Sequence, residues 1–323
     1  MNTKNDIYTP NQPWLNPFND NKEFDIKLDG DYTLTICGKN KLFIYYDEFY
    51  QVRDFINNNI TEEIKQQIIK GDLKLVFIES DSYPMFDIDV LTIKENDWFF
   101  KNKNIQLWQT SYVDDNTLEQ NMYVGLQVHY AVRNLINVDY THSVNNFTKH
   151  FLTLNNKNKP DRERLYNVYS TLDPRKFIAS FNFKSIFLEK HLFNNDGAAK
   201  ESIYGFNILN FYKQSLFEIV CESGKENVTE KSYKPLLLGV PFIPYSDNVN
   251  SQINYFKHIG IDINYFDLDF NDIENVNKFV KKIVSMDIDT VRQTYEHVFI
   301  KAEENRTKIK NYFNYVKDKI TNL

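Results

Sequence analysis

Cysteine is scarce in this chain of 323 residues. Cys37 and Cys221 both sit in apolar, strand-like surroundings, and neither has a Cys or His partner at zinc-ligand spacing. The pattern argues against a disulfide scaffold or a structural zinc site and reads as two buried thiols. Glycine and proline are also few, nine each, which does not suit a disordered or low-complexity chain. No stretch approaches the roughly 18 consecutive apolar residues of a membrane-spanning helix. An excess of positive charge is missing too: the net charge is −6, which leaves no electrostatic footprint for nucleic acid or an anionic membrane. Residues 1–14 are polar and lack the apolar run of a signal peptide. The sequons at Asn59, Asn146, Asn227 and Asn305 then read as chance matches, and the expected setting is the reduced cytoplasm.

What remains is an ordinary globular composition, 42% hydrophobic and 25% charged, with 26 Phe and 21 Tyr available for a core. The length suits two domains of roughly 150 residues each. In the first half, β-type runs at 32–37, 42–46, 73–78, 90–93 and 105–110 alternate with a polar amphipathic segment at 62–70 and an apolar-faced helix over 123–136. Residues 137–146 are polar and aperiodic and are expected to be a linker. In the second half, strands are expected at 151–154, 176–181, 203–210, 216–221 and 241–244, with an extended stretch at 265–268. Helices are expected near 162–171, up to Gly239, at 253–259 and at 271–284, and one long helix over 289–320 capped by Asp289 or Thr290. This alternation implies α/β architecture with a parallel sheet.

The most informative run is 217–243, which reads as strand, polar loop, helix start, apolar helix, Gly stop and buried strand. Gly239 suits the left-handed position after a helix, and Pro241 cannot continue it. Pro235 is expected within about the first turn, which puts the helix start at or just after Thr229. In an open α/β sheet, ligands lie at the carboxyl ends of strands beside helix N-termini, where free N–H groups and the dipole favour anions. Lys231 adds a full positive charge there. Glu230 would repel phosphate but can accept from a ribose diol.

The run Val228-Thr-Glu-Lys-Ser-Tyr-Lys-Pro-Leu-Leu-Leu-Gly-Val-Pro-Phe-Ile243 resembles the T-E-K-x-x-K-P-x-x-x-G-x-P-F-I signature of GT-B glycosyltransferases of phages, large DNA viruses and bacteria. These are distantly similar to α-1,3-fucosyltransferases. Where those have F-E-N before the motif, this chain has Val220-Cys-Glu-Ser, so GDP-fucose is not singled out as donor. Tyr255-Phe-Lys-His-Ile-Gly-Ile-Asp262 fits the family's L-x-x-L-G-F stretch. Upstream, Phe151-Leu-Thr-Leu-Asn-Asn-Lys-Asn-Lys-Pro-Asp-Arg-Glu-Arg-Leu165 resembles its F-x-x-L-N-x-x-x-x-x-H-R-x-x-L, with Asp161 in place of the His.

The resemblance covers roughly residues 150–285 and implies a GT-B fold: an acceptor-side Rossmann-like domain over 1–145, a nucleotide-sugar domain over 146–288, and a C-terminal helix over 289–323 packing back toward the first. It implies that Arg162 grips the donor diphosphate, with Arg164 as the alternative, since a guanidinium offers phosphate a bidentate fork. Glu222, Ser223, Thr229, Glu230 and Lys231 complete the donor set, and Tyr233 or Tyr245 could stack on the base or bond a phosphate. In the first half, Pro84-Met-Phe-Asp87 is similar to an acceptor-domain motif preceded by a Glu. That points to Glu79, with Asp81 second, as general base for inverting transfer to a hydroxyl. His129, His142, His150 and His258 are other candidate bases.

The expected donor is a GDP- or UDP-linked sugar with no metal cofactor, and the acceptor a glycan, a lipid-linked sugar or a protein. The acidic balance disfavours a nucleic-acid acceptor. Two other readings stay open. One is a metal-dependent GT-A transferase using Asp87/Asp89, Asp267/Asp269 or Asp287/Asp289. The other is a non-catalytic nucleotide- or glycan-binding shell.

Overall fold

The computed structural model of the protein describes residues 6–7, 25–29, 33–37, 41–46, 60–79, 98, 102–109, 122–123, 135, 138–142, 147–155, 157–186, 209–222, 228 and 230–321. They form an α/β structure with two compact units, one comprising Met1–Tyr130 and Val316–Leu323, the other Ala131–Tyr315.

In the first unit, β1 (Asp6–Ile7), β2 (Asp25–Asp29), β3 (Thr33–Cys37), β4 (Lys41–Tyr46), β5 (Lys74–Glu79), β6 (Ile105–Gln109) and β7 (Met122–Tyr123) lie side by side in chain order. The first four pair antiparallel and the rest parallel, so the sheet is mixed. Helix α1 (Glu62–Lys70) joins β4 to β5, as its amphipathic pattern predicts. Thr61 caps it by accepting from the Ile64 N–H at 3.3 Å, and Gly71 ends it at φ +85. Asn104 Nδ2 donates to the Ile68 carbonyl at 2.9 Å and ties the helix end to the turn before β6.

The second unit is built on four parallel strands. β8 (Lys149–Asn155), β9 (Phe177–Phe181), β10 (Ser215–Val220) and β11 (Phe242–Pro244) lie in the order β11-β10-β8-β9. Every residue of β10 is buried, as expected for a parallel strand covered on both faces. Phe151 in β8 stacks on Phe177 of β9 with ring centroids 5.1 Å apart and lies 5.8 Å from Phe217 of β10. Burying such a ring stabilises by roughly 1.5–3 kcal/mol. Helix α2 (Pro160–Tyr169) follows β8 with Pro in its first turn, and its Leu165 and Tyr169 close over this aromatic layer.

Helix α3 (Leu209–Tyr212) is a single turn before β10, and α4 (Glu230–Leu238) links β10 to β11. Then follow α5 (Asn250–His258), α6 (Ile273–Ser285), α7 (Ile288–Thr294) and α8 (Glu296–Thr321). From β8 the chain crosses to β9 on one side, while from β10 it crosses to β11 on the other. The connections therefore diverge between β8 and β10. Such a switch point opens a crevice at the strands' carboxyl ends.

Several expectations need correction. Residues 203–210 were expected to form a strand, but Leu209 and Asn210 open helix α3. Met122 and Tyr123 form a strand where a helix beginning at 123 was expected, while Leu135 is helical and buried. Val138, Tyr140 and His142 are buried in the second unit, so this part of the 137–146 stretch is core and not exposed linker. Residues 265–268 are not a strand: Asn264 exchanges hydrogen bonds with the Leu268 backbone, 3.0 and 3.1 Å, and closes a loop. The long helix is broken at Tyr295, whose ring packs on Phe266 and Phe279, and its first part is capped by Asp287 rather than Asp289 or Thr290. The strand expected at 90–93 lies outside the described residues.

Candidate functional site

The second half of the informative run folds as its residues dictate. Helix α4 opens at Glu230 and closes in a paired-bond stop: the Val240 N–H reaches the Pro235 carbonyl at 2.9 Å and the Gly239 N–H the Leu236 carbonyl at 3.1 Å. Gly239 stands at φ +65, as expected. Pro235 is a correction. It sits in the second turn, where it cannot donate to the Lys231 carbonyl. Burial of Leu236, Leu237 and Leu238 holds the helix through that gap. At the far end Arg306 Nε donates to the Leu237 carbonyl at 3.1 Å, placing a cation where the dipole is negative.

The switch point is occupied by side chains from α2 and α4. Arg162, 3% exposed, donates from Nη1 to the Lys157 carbonyl at 3.1 Å and from Nη2 to the Cys221 carbonyl at 3.3 Å. It thereby bridges the loop after β8 and the first residue beyond β10. Lys231 lies half-buried in the first turn of α4. Burial pushes the Cys221 thiol well up in pKa; Arg162 and, less, Lys231 pull it down, and Asp161 and Glu222 oppose them, so Cys221 is an unreactive thiol among charges of both signs.

Glu222 is buried beside them. Its Oε1 accepts from the Ser232 N–H at 3.2 Å and the Ser232 hydroxyl at 2.6 Å. An anionic side chain is thus already seated on the start of α4, where the dipole favours it. Of the N–H groups expected to face a diphosphate, that of Ser232 is taken.

Other expected donor residues go elsewhere. Arg164 forms a two-pronged ion pair with Asp247, with Nη2 to Oδ2 at 3.0 Å. Asp161 accepts from the Ser246 hydroxyl at 2.9 Å. These contacts dock the first turn of α2 on the loop after β11. Tyr233 is fully buried, its ring against Phe256 and its hydroxyl bonded to that of Tyr255, so it is a core residue and not a stacking platform. Tyr245 is likewise buried, with its hydroxyl 2.8 Å from Asn277 Oδ1. Ser223, Thr229, Asp81 and His129 lie outside the described residues. Glu230 opens α4, and Glu79 ends β5 in the other unit, paired in register with Tyr46.

The remaining histidines are placed as follows. His142 is buried between the Tyr140 hydroxyl, 2.7 Å, and the Leu216 carbonyl, 3.3 Å, and burial lowers its pKa to about 4. His150 lies between the Lys176 and Met286 carbonyls at 3.2 and 3.1 Å. His258 ends α5 and is exposed. Of the Asp pairs, Asp287 caps α7, Asp289 pairs with Arg292, and Asp269 accepts from the Asn271 N–H at 3.0 Å. Asp87 and Asp89 lie outside the described residues. Among the described residues, no group of three or more His, Cys, Asp and Glu is arranged to hold a metal ion. No described helix is long and apolar enough to cross a membrane.

Two buried polar groups receive no role from the sequence, although Asn155 holds the N position of the F-x-x-L-N run. Glu218 lies in the middle of β10, where the Tyr212 hydroxyl donates to it at 2.5 Å. Burial raises its carboxyl to about 7 against the pull of Lys234. The signal was present: a lone Glu inside an apolar strand. Asn155 ends β8 at 0% exposure, and its Oδ1 has no hydrogen-bond partner among the described residues. Leaving such a group unpaired costs about 1–3 kcal/mol.

No known family model matches this chain, nor does any curated protein or solved structure.

Proposed function

We propose that the protein is a glycosyltransferase of GT-B type that takes its sugar from a nucleoside-diphosphate donor held at the β8/β10 switch point. The observation that carries the reading is that Arg162 is buried on the Cys221 carbonyl at the carboxyl end of β10, while α4, with Lys231 in its first turn, begins a few residues further on. Two cations at the carboxyl ends of a parallel sheet suit a diphosphate, and they can stabilise the charge that develops as it leaves. The T-E-K-x-x-K-P run and the Arg162 motif are similar to the donor motifs of that class. The acceptor would be a hydroxyl of a glycan, lipid-linked sugar or protein, deprotonated by Glu79 or, second, Asp81.

A thermal-shift panel of GDP, UDP, CMP and dTDP tests this. GDP or UDP should raise the Tm, since a ligand at a hundred times its Kd stabilises the fold by about 2.7 kcal/mol. Lys231→Ala and Arg162→Ala should abolish the shift. Because Arg162→Ala also removes the hold on two carbonyls, the Tm of each variant without ligand is measured alongside to separate binding from folding. A wild-type protein that responds to none of the four, or variants that respond like it, would sink the reading. Turnover of UDP-glucose or GDP-fucose distinguishes a transferase from a shell that only binds.

A further inference from the structure

Asn155 is the last residue of β8, so it stands at the carboxyl ends of the strands, at the switch point between β8 and β10. Its orientation is set by a chain of bonds. The Thr153 hydroxyl donates to the Ile219 carbonyl at 2.9 Å, and Asn155 Nδ2 donates to the Thr153 oxygen at 2.9 Å. Turning the amide over would face its oxygen to a hydroxyl whose proton is already given away. The amide oxygen therefore points away from Thr153, fully buried and without a donor among the described residues. Native interiors rarely leave such an acceptor unpaired.

The group that satisfies it cannot be a phosphate oxygen. Two lone-pair oxygens repel, and an ionised diphosphate carries no proton to share. The partner must donate. Resting on the nucleotide-sugar reading above, we infer that Asn155 Oδ1 accepts a hydrogen bond from a sugar hydroxyl of the bound nucleotide and so reads the neutral part of the ligand whose charge Arg162 and Lys231 hold. The hydroxyl belongs either to the ribose or to the transferred sugar. In both cases the chemistry is the same: a neutral O–H against an amide oxygen preoriented by Thr153 and Ile219. The site then favours a ligand that carries that hydroxyl, because only such a ligand supplies the donor the buried oxygen lacks.

The test uses the full chain, calorimetric titration and thermal shift. The probes are inorganic pyrophosphate, GDP and UDP, their 2′-deoxy and 3′-deoxy counterparts, and GDP-fucose and UDP-glucose. Asn155→Leu, close in size and without polar atoms, should be at least as stable as wild type without ligand. It should bind pyrophosphate unchanged and bind the nucleotide or nucleotide sugar roughly tenfold more weakly. Loss on GDP or UDP assigns the ribose, whereas loss confined to the sugar-bearing forms assigns the transferred sugar.

The wild-type arm needs no variant: a deoxy nucleotide should lose the same factor if the ribose is read. The inference falls if Asn155→Leu binds every probe like wild type, or if it loses pyrophosphate in equal measure, which would make Asn155 part of the frame. It also falls if a crystal structure of the nucleotide complex has only protein-bound water on Oδ1. A wild-type protein that binds no nucleotide at all removes the nucleotide-sugar reading itself, a result separate from these.

Discussion

Ser232 gives both its N–H and its hydroxyl to Glu222 Oε1, at 3.2 and 2.6 Å, so the start of α4 is capped by a carboxylate from the end of β10. Losing a helix cap costs about 0.5–2 kcal/mol. Glu222→Ala should therefore lower stability by about 1 kcal/mol in urea unfolding. Glu222→Gln keeps an acceptor and removes the negative charge that competes for the helix start. It should bind pyrophosphate more tightly than wild type, measured by calorimetric titration. Weaker binding would make Glu222 a ligand contact instead of a cap.

Arg164 and Asp247 form an ion pair whose side chains are 36% and 45% exposed. Exposed pairs contribute about 0–1 kcal/mol. Arg164→Ala should shift stability by no more than that and leave the nucleotide response within about twofold of wild type. A loss matching that of Arg162→Ala would move the phosphate role to Arg164.

His142 sets part of the acid limb of stability. Its unfolded imidazole titrates near 6.5, and burial lowers the folded value to about 4. The folded state thus binds the proton less readily, and stability rises with pH between these values. This contribution is fully present above pH 6.5 and is lost as the pH falls to 4, on the order of 3 kcal/mol in all. His142→Gln, which can still bond Tyr140 and Leu216, should flatten the dependence of Tm on pH in that window. An unchanged slope would place the acid sensitivity elsewhere.

Gly239 stands at φ +65, and a Cβ there would meet Glu303 Oε2 at 2.6 Å and Arg306 Cδ at 3.2 Å. Glu303 can swing aside at little cost, but the left-handed backbone still disfavours a side chain. Gly239→Ala should destabilise by about 1–2 kcal/mol in urea unfolding. A smaller loss would mean that the helix stop relaxes around the new side chain.

The local grammar was readable in the residues. Gly239 followed by Pro241 stops α4, and the start just after Thr229 is where the chain's own motif places it. The amphipathic 62–70 segment is α1 without adjustment. These features depend on neighbours a few positions apart. Leu209 and Asn210, expected to end a strand, open the turn of α3 instead, whose Leu209 and Tyr212 are both buried. The 289–320 periodicity hid a break, because the packing of Tyr295 against Phe266 and Phe279 is invisible to a helical repeat. Polarity likewise marked 137–146 as linker, although Tyr140 and His142 satisfy each other and lie in the core.

The amino-acid order alone determined the parallel α/β character of the second half and the bounds of α4. Tertiary structure decided which groups those elements meet. It put Arg162 on the carbonyl of Cys221, 59 residues away, turned Tyr233 inward, gave Ser232 to Glu222 and left the Asn155 oxygen without a partner among the described residues. The physical reason is range. Caps and stops are settled by backbone geometry within one turn, while the partner of a buried polar group is set by the order in which distant strands lie side by side.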